Sequence, residues 1–272
     1  NEANGLRLHF YLPHWGEKDT LILRFLDMHG KEIRSFSSEA EAEEEVIEDL
    51  RQGANYFLWD LRYPRAKDFP GMIFWWGALQ GPKVAPGLYR MQWTYTSAVG
   101  ERREGELTFE VQQDPRSPVS SQEIQQQVDF AVELLDKISE AHEAILEMRD
   151  LRQQLKNYQS RLKGKEGLDE VLTLAEQIDS SLLELEQKLY QTKNRSAQDP
   201  LNFPVRLTNK LAHLNAIMSA DYPPTQQAIA VKEELEKAVD EVLAAFRQIK
   251  ERDLQQFNRL MREKQVDAVI LK

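Results

Sequence analysis

Residues 55–63 read Asn-Tyr-Phe-Leu-Trp-Asp-Leu-Arg-Tyr, and after Pro64 and a Pro/Gly-punctuated excursion the chain resumes as Ala85-Pro-Gly-Leu-Tyr-Arg-Met-Gln-Trp-Thr-Tyr-Thr96. The first run ends an alternating strand at Trp59-Asp60. The second starts from a Pro-Gly turn and sets Tyr89, Met91, Trp93 and Tyr95 on one face, the period of a half-buried strand. Phe69-Pro70-Gly71 and Gly81-Pro82 punctuate the excursion between them.

Outward from this pair, strands are predicted at Leu6–Leu12, Thr20–Leu26, Glu32–Phe36, Ala54–Leu61, Met72–Trp76, Leu88–Thr96 and Glu104–Val111, with a hairpin turn at Asp27 to Lys31. About seven short strands in roughly 110 residues, separated by Gly/Pro turns, form an immunoglobulin or fibronectin type III pattern. No amphipathic helix separates them, which disfavours a parallel α/β sheet. The acidic stretch from Glu39 to Leu50 interrupts the pattern. It reads as a solvated loop or short frayed helix that tolerates deletion, because no Asp/Asn/Gly loop accompanies the Glu39 to Glu45 glutamates to converge oxygens on a cation.

Composition switches once. All five Trp and ten of the twelve Gly precede Pro118, and the remainder is rich in Leu, Gln, Glu, Ala and Lys. The hinge is Asp114-Pro-Arg-Ser-Pro118, whose prolines restrict the preceding residues and remove backbone donors. The expected organisation is β then α: a β-sandwich over 1–114 and an elongated antiparallel three- or four-helix bundle over 119–272.

Ser120 and Glu123 have capping-box spacing, so a long helix is expected from there, with Ile124, Val128, Ala131, Leu135, Ile138, His142 and Ile145 on one stripe. Gly164 and Gly167 end it. A second seam carries Leu168, Val171, Ala175, Ile178, Leu182, Leu185 and Leu189. A shorter helix follows Pro204, the Asp221 to Thr225 stretch breaks it, and a last helix runs from about Gln226 to Arg262 on Leu235, Val239, Val242, Phe246, Ile249, Phe257 and Leu260. Helices near 40 residues are about 60 Å long at ~1.5 Å per residue, too long for a compact globule. A stripe left exposed after intramolecular packing would support a homodimer through the bundle.

The formal net charge of −10 argues against a nucleic-acid partner, which needs a Lys/Arg surplus on some face. Without cysteine there are neither disulfides nor thiolate metal sites. No run approaches the roughly 18 apolar residues of a membrane span. The chain opens on Asn1, which leads directly into a strand, so an excised piece of a longer polypeptide is expected.

Catalytic patterns are absent: there is no Gly-x-Ser-x-Gly, no His-Glu-x-x-His and no phosphate-binding loop. The five histidines (His9, His14, His29, His142, His213) lack metal-ligand spacing, and Ser139 and Lys210 stand where a bundle di-metal site would need glutamates. No cofactor or metal is expected. His142 reads as a hydrogen-bonded core histidine and Asp60 as a turn cap. Trp15, Trp75 and Trp76 are candidate ligand-binding residues, since aromatic faces stack on sugar rings; within a strand, Trp75 and Trp76 would point to opposite faces.

Phe57-Leu-Trp-Asp-Leu-Arg-Tyr-Pro64, Phe69-Pro-Gly-Met72, Gly81-Pro82, Ala85-Pro-Gly-Leu-Tyr89, Asp114-Pro-Arg116 and Asp199-Pro-Leu-Asn-Phe-Pro204 together resemble the C-terminal region of secreted bacterial sortilin-like, BNR-repeat β-propeller proteins, often labelled glycosyl hydrolases. The shorter Trp59-Asp60 and Pro86-Gly-Leu-Tyr89 pair also resembles the immunoglobulin-like domain at the C-terminus of secreted bacterial proteins and in the flagellar hook-capping protein. The propeller resemblance implies an upstream propeller that would hold any active site, an extracytoplasmic location, and a non-catalytic scaffolding or partner-binding role here. A carbohydrate-binding accessory module is the alternative. The chain lacks the Ser-x-Asp-x-Gly-x-x-Trp repeat, so no catalytic residue carries over.

Overall fold

The computed structural model describes residues 5–219 and 222–266. The chain is β then α: six strands precede five α-helices among the described residues. Asn1 and Asp221 lie outside them.

Strands β1 (Leu6–Leu12) and β4 (Gly53–Trp59) form a two-stranded antiparallel sheet. Strands β2 (Thr20–Asp27), β3 (Glu32–Ser37), β5 (Gly87–Thr96) and β6 (Arg102–Val111) form a second antiparallel sheet in the order β3-β2-β5-β6. The chain therefore leaves the larger sheet after β3, pairs with β1, and returns. Alternation decides the faces: Leu21, Leu23 and Phe25 of β2 and Tyr89 and Met91 of β5 are buried in one cluster with Trp59, and Leu6, Leu8, Phe10 and Phe57 pack against it. Trp59 is the largest of these. It stacks on Phe25 with ring centroids 4.2 Å apart and donates its indole N–H to the Arg62 carbonyl at 3.1 Å.

The acidic stretch is tied at its end. Glu43–Glu45 form one 3-10 turn with Glu43 and Glu44 exposed, after which Val46 bridges Ser37 and Ile47 is buried in the core. A deletion reaching Ile47 would open the core, so the expected tolerance holds only for the exposed glutamates.

The expected strand at Met72–Trp76 does not form. The segment Ala66–Leu79 belongs to the helical unit, and side chains rather than a neighbouring strand satisfy its backbone. The two compact units therefore do not follow the composition switch at Pro118. One comprises Asn1–Arg65, Gln80–Val132 and Ser219–Pro224, the other Ala66–Leu79, Glu133–Met218 and Thr225–Lys272. In the first, the early turns of α1 (Ser121–Leu162) bury Ile124 and Val128 against Ala85. The capping box forms as the sequence requires: Ser120 N–H donates to Glu123 Oε2 at 2.8 Å and Glu123 N–H to Ser120 Oγ at 3.3 Å.

In the helical unit, α2 (Asp169–Leu189), α3 (Leu207–Ile217), α4 (Gln226–Gln248) and α5 (Leu254–Glu263) bury the expected seams. A π-helical stretch, Ile249–Asp253, joins α4 to α5 inside what reads in sequence as one helix. Ion pairs give the directions. Arg149 and Arg152 of α1 meet Glu186 and Asp179 of α2, so these helices run antiparallel. Lys137 meets Asp240 and Glu147 meets Lys250, so α1 and α4 run parallel. Glu186 is buried, and accepts from Arg149 Nε at 2.7 Å and Arg152 Nη1 at 2.9 Å.

Two substitutions test this packing. Trp59→Ala removes the largest core side chain and is expected to cost about 3–5 kcal/mol in urea unfolding. Glu186→Ala leaves Arg149 without a carboxylate while Arg152 keeps Asp179, and is expected to cost about 1–3 kcal/mol by the same measurement.

Candidate functional site

The candidate tryptophans have three different settings. Trp15 is half-buried, packs against the core of the sheets and lies 6.3 Å from the Tyr95 ring. Trp75 is half-buried and Trp76 is 72% exposed. The latter two do not take opposite faces of a strand, because their segment is not one.

Their segment is held by side chains of the helical unit. Ile73 N–H donates to the Tyr190 hydroxyl at 2.8 Å, and Asn194 Nδ2 donates to the Ile73 carbonyl at 3.3 Å. Asn209 acts three times: its Oδ1 accepts from Trp75 N–H at 3.0 Å, and its Nδ2 donates to the carbonyls of Trp75 at 3.0 Å and Trp76 at 2.9 Å. Asn215 Nδ2 donates to the Ala78 carbonyl at 2.8 Å, and Ala78 N–H donates to the Ala212 carbonyl at 2.9 Å. An Asn amide offers both donor and acceptor, so it pairs with a backbone as a neighbouring strand would. Trp76 has φ +51, a left-handed conformation that is an outlier for a bulky residue. Gly77 follows at φ +113, where a Cβ would lie 3.0 Å from the Ala212 Cβ and 3.1 Å from its carbonyl carbon. These contacts hold the loop in a path that presents the Trp76 indole to solvent.

His142 is the buried histidine of the same unit. Its Nδ1–H donates to the Lys67 carbonyl at 2.5 Å, while Nε2 is buried without a partner. Phe69 meets the imidazole edge-to-face at 5.0 Å, and Phe74 lies 5.8 Å away. Burial pushes its pKa down, the Lys67 carbonyl and Asp68 push it up, and Arg149 pushes it down again; the net direction is downward. This is the hydrogen-bonded core histidine expected from the stripe.

Asp60 caps its turn by accepting from Arg62 N–H at 3.1 Å. Tyr89 donates its hydroxyl to the Ala85 carbonyl at 2.6 Å, and burial pushes its pKa up to about 12. Asp114 is held down at about 2 by hydrogen bonds from Arg116. Asp199 accepts from the backbone N–H groups of Arg195 and Ser196, which lowers its pKa. Among the described residues, no three His, Asp or Glu side chains converge to hold a metal ion. No helix there is long and apolar enough to cross a membrane.

The sheet unit contains a cleft of about 540 Å³ that none of the sequence candidates lines. Trp93 and Tyr95 of β5 line it, with Tyr11, His14, Ser97, Glu101 and Arg103 of β6. Trp93 faces Gly105 across the β5–β6 pair, and a Cβ on Gly105 would lie 2.7 Å from the indole Nε1. The indole therefore rests on the β6 backbone. Asp19, almost fully buried, ties the walls together: Oδ2 accepts from Gly16 N–H and the Tyr95 hydroxyl, and Oδ1 from Ala98 N–H, each at 2.8 Å. The Tyr95 hydroxyl bond leads the causes that hold the Asp19 carboxyl below its ordinary range. Alternation in β5 marks Trp93 and Tyr95 as inward-facing, but only the register reveals Gly105 beneath the indole.

Comparison with protein-family models, curated proteins and solved structures finds no match to this chain.

The His142 geometry predicts a pH dependence. Its folded pKa lies below the unfolded value of about 6.5, so its stabilisation is fully present above that pH and is lost as pH falls from there towards the folded value. Thermal melts between about pH 7.5 and 5.5 are expected to show a steeper decline for the unaltered chain than for His142→Phe, which has no proton to gain.

Proposed function

We propose that this chain is a non-catalytic accessory module of a larger exported BNR-repeat β-propeller protein, serving scaffolding or partner binding. In this reading its strands are a fibronectin type III or immunoglobulin-like sandwich and its helices an elongated antiparallel bundle of three or four. The strand order supports the sandwich, since the chain crosses from one antiparallel sheet to the other after β3 and back after β4. The Tyr89 hydroxyl tied back to Ala85 is the kind of tyrosine bond that such folds use at a corner. The opposed directions of α1 and α2 support the bundle.

The observation that carries the functional reading is where the motif side chains are spent. Trp59 fills the core, Asp60 caps its turn, Tyr89 binds Ala85, Asp114 holds Arg116, and Asp199 holds the turn at Arg195. Phe69 is buried under Arg149, whose guanidinium carbon is 4.5 Å from its ring centre. A general acid or base must reach the proton that it transfers, and these groups are committed to the fold.

Trp76 favours partner binding within this reading. A left-handed bulky residue costs about 1–3 kcal/mol, a cost that persists where the surroundings over-determine the conformation. Exposed tryptophans on rigid supports are the residue type that anchors interfaces. The carbohydrate-binding alternative would use the same indole.

The test is turnover by the chain alone. Incubated with nitrophenyl glycosides and plant and bacterial polysaccharides, it is expected to release no more product than buffer. Release that disappears on an acid-to-amide substitution would overturn the non-catalytic reading.

A further inference from the structure

The cleft beside Asp19 has the features of a binding site. Its volume of about 540 Å³ lies within the roughly 300–1,000 Å³ of small-ligand sites. Its aromatic residues are partly open, with Trp93 and Tyr95 half-buried and Tyr11 70% exposed. Trp93 cannot sink further, because Gly105 already lies against it. Rings fixed in this way offer apolar contact at low conformational cost.

Polar chemistry in the cleft is equally fixed. Tyr95 donates its proton to Asp19, and burial together with that carboxylate raises its pKa, so the phenol stays neutral and turns its lone pairs to an incoming donor. Ser97 adds a hydroxyl at the wall. The fixed charges leave no positive surplus: Asp19 keeps its charge among three neutral donors, Glu101 and Arg103 are of opposite sign, and His14 adds one imidazole. An anionic ligand would find no complementary field. A neutral ligand with flat C–H faces and a rim of hydroxyls matches both the aromatic surfaces and the mixed donors and acceptors.

We infer that this cleft binds a neutral saccharide, with Trp93 and Tyr11 contacting a sugar face and the Tyr95 hydroxyl accepting from a sugar hydroxyl. The site is separate from the exposed Trp76 and does not depend on an upstream propeller. Hydrolysis of a probe would overturn the non-catalytic reading and leave this inference standing.

The experiment titrates the whole chain with cellotetraose, xylotetraose and maltotetraose, and with tetragalacturonate as an anionic counterpart, following tryptophan fluorescence and heat. Saturable binding of at least one neutral probe is expected. Tyr11→Ala, at an exposed position, and Tyr95→Phe, which keeps the ring, are each expected to weaken it about tenfold or more. Met28→Ala, exposed at the opposite end of β2 from Asp19, binds as the unaltered chain does. The inference is overturned if no neutral probe binds at millimolar concentration, if tetragalacturonate is preferred, or if Tyr11→Ala binds as tightly as the unaltered chain.

Discussion

Backbone N–H and C=O groups removed from water must find partners, and the segment Ala66–Leu79 finds many of them among side chains. Ser139 accepts from Lys67 N–H and His142 donates to the Lys67 carbonyl. Tyr190 and Asn194 serve Ile73, Asn209 serves Trp75 and Trp76, and Asn215 serves Ala78. A segment with the composition of a strand can leave its sheet because these residues supply what a ladder would have supplied. Each such bond has a net worth of only about 0.5–1.5 kcal/mol, but a buried group left without one costs about 1–3 kcal/mol. The set therefore acts mainly by penalising every other arrangement of the loop.

Packing beneath the loop follows the same logic. Phe69 is buried with His142 and Tyr190 at its edges, and Arg149 lies over both the Phe69 and Tyr190 rings. Arg149 is held there by Glu186, which also binds Arg152. An ion pair of α1 and α2 thus fixes a cation over the aromatic cluster that anchors the loop, and the anchored loop fixes the backbone of Trp76. The asparagines and Gly77 have one joint consequence, a solvent-facing indole on a hydrogen-bonded support.

Much of the fold was legible in the sequence because it rests on local periodicity. Strands β1 to β6 fall where alternation and turns put them. The helix seams are buried residue for residue, from Ile124 to Ile145 on α1 and from Val171 to Leu189 on α2. Phe74, Trp75 and Trp76 misled, because a β-rich apolar run reads as a strand unless its partners are known, and its partners are Asn209 and Asn215 far along the chain. The π-helical stretch at Ile249 leaves no trace in the apolar pattern, which continues through it. The cleft was half legible: alternation puts Trp93 and Tyr95 on one face of β5, whereas Gly105 under the indole and Asp19 in the wall depend on strand register and on a long-range hydrogen bond.

Amide hydrogen exchange across Ala66–Leu79 reads out this side-chain support. If side chains stand in for a strand, the N–H groups of Ile73 and Trp75 exchange as slowly as those within α3. In Asn209→Ala, protection at Trp75 is lost while the interior of α2 keeps its own. Exchange of Ile73 and Trp75 at open-loop rates in the unaltered chain would contradict the account.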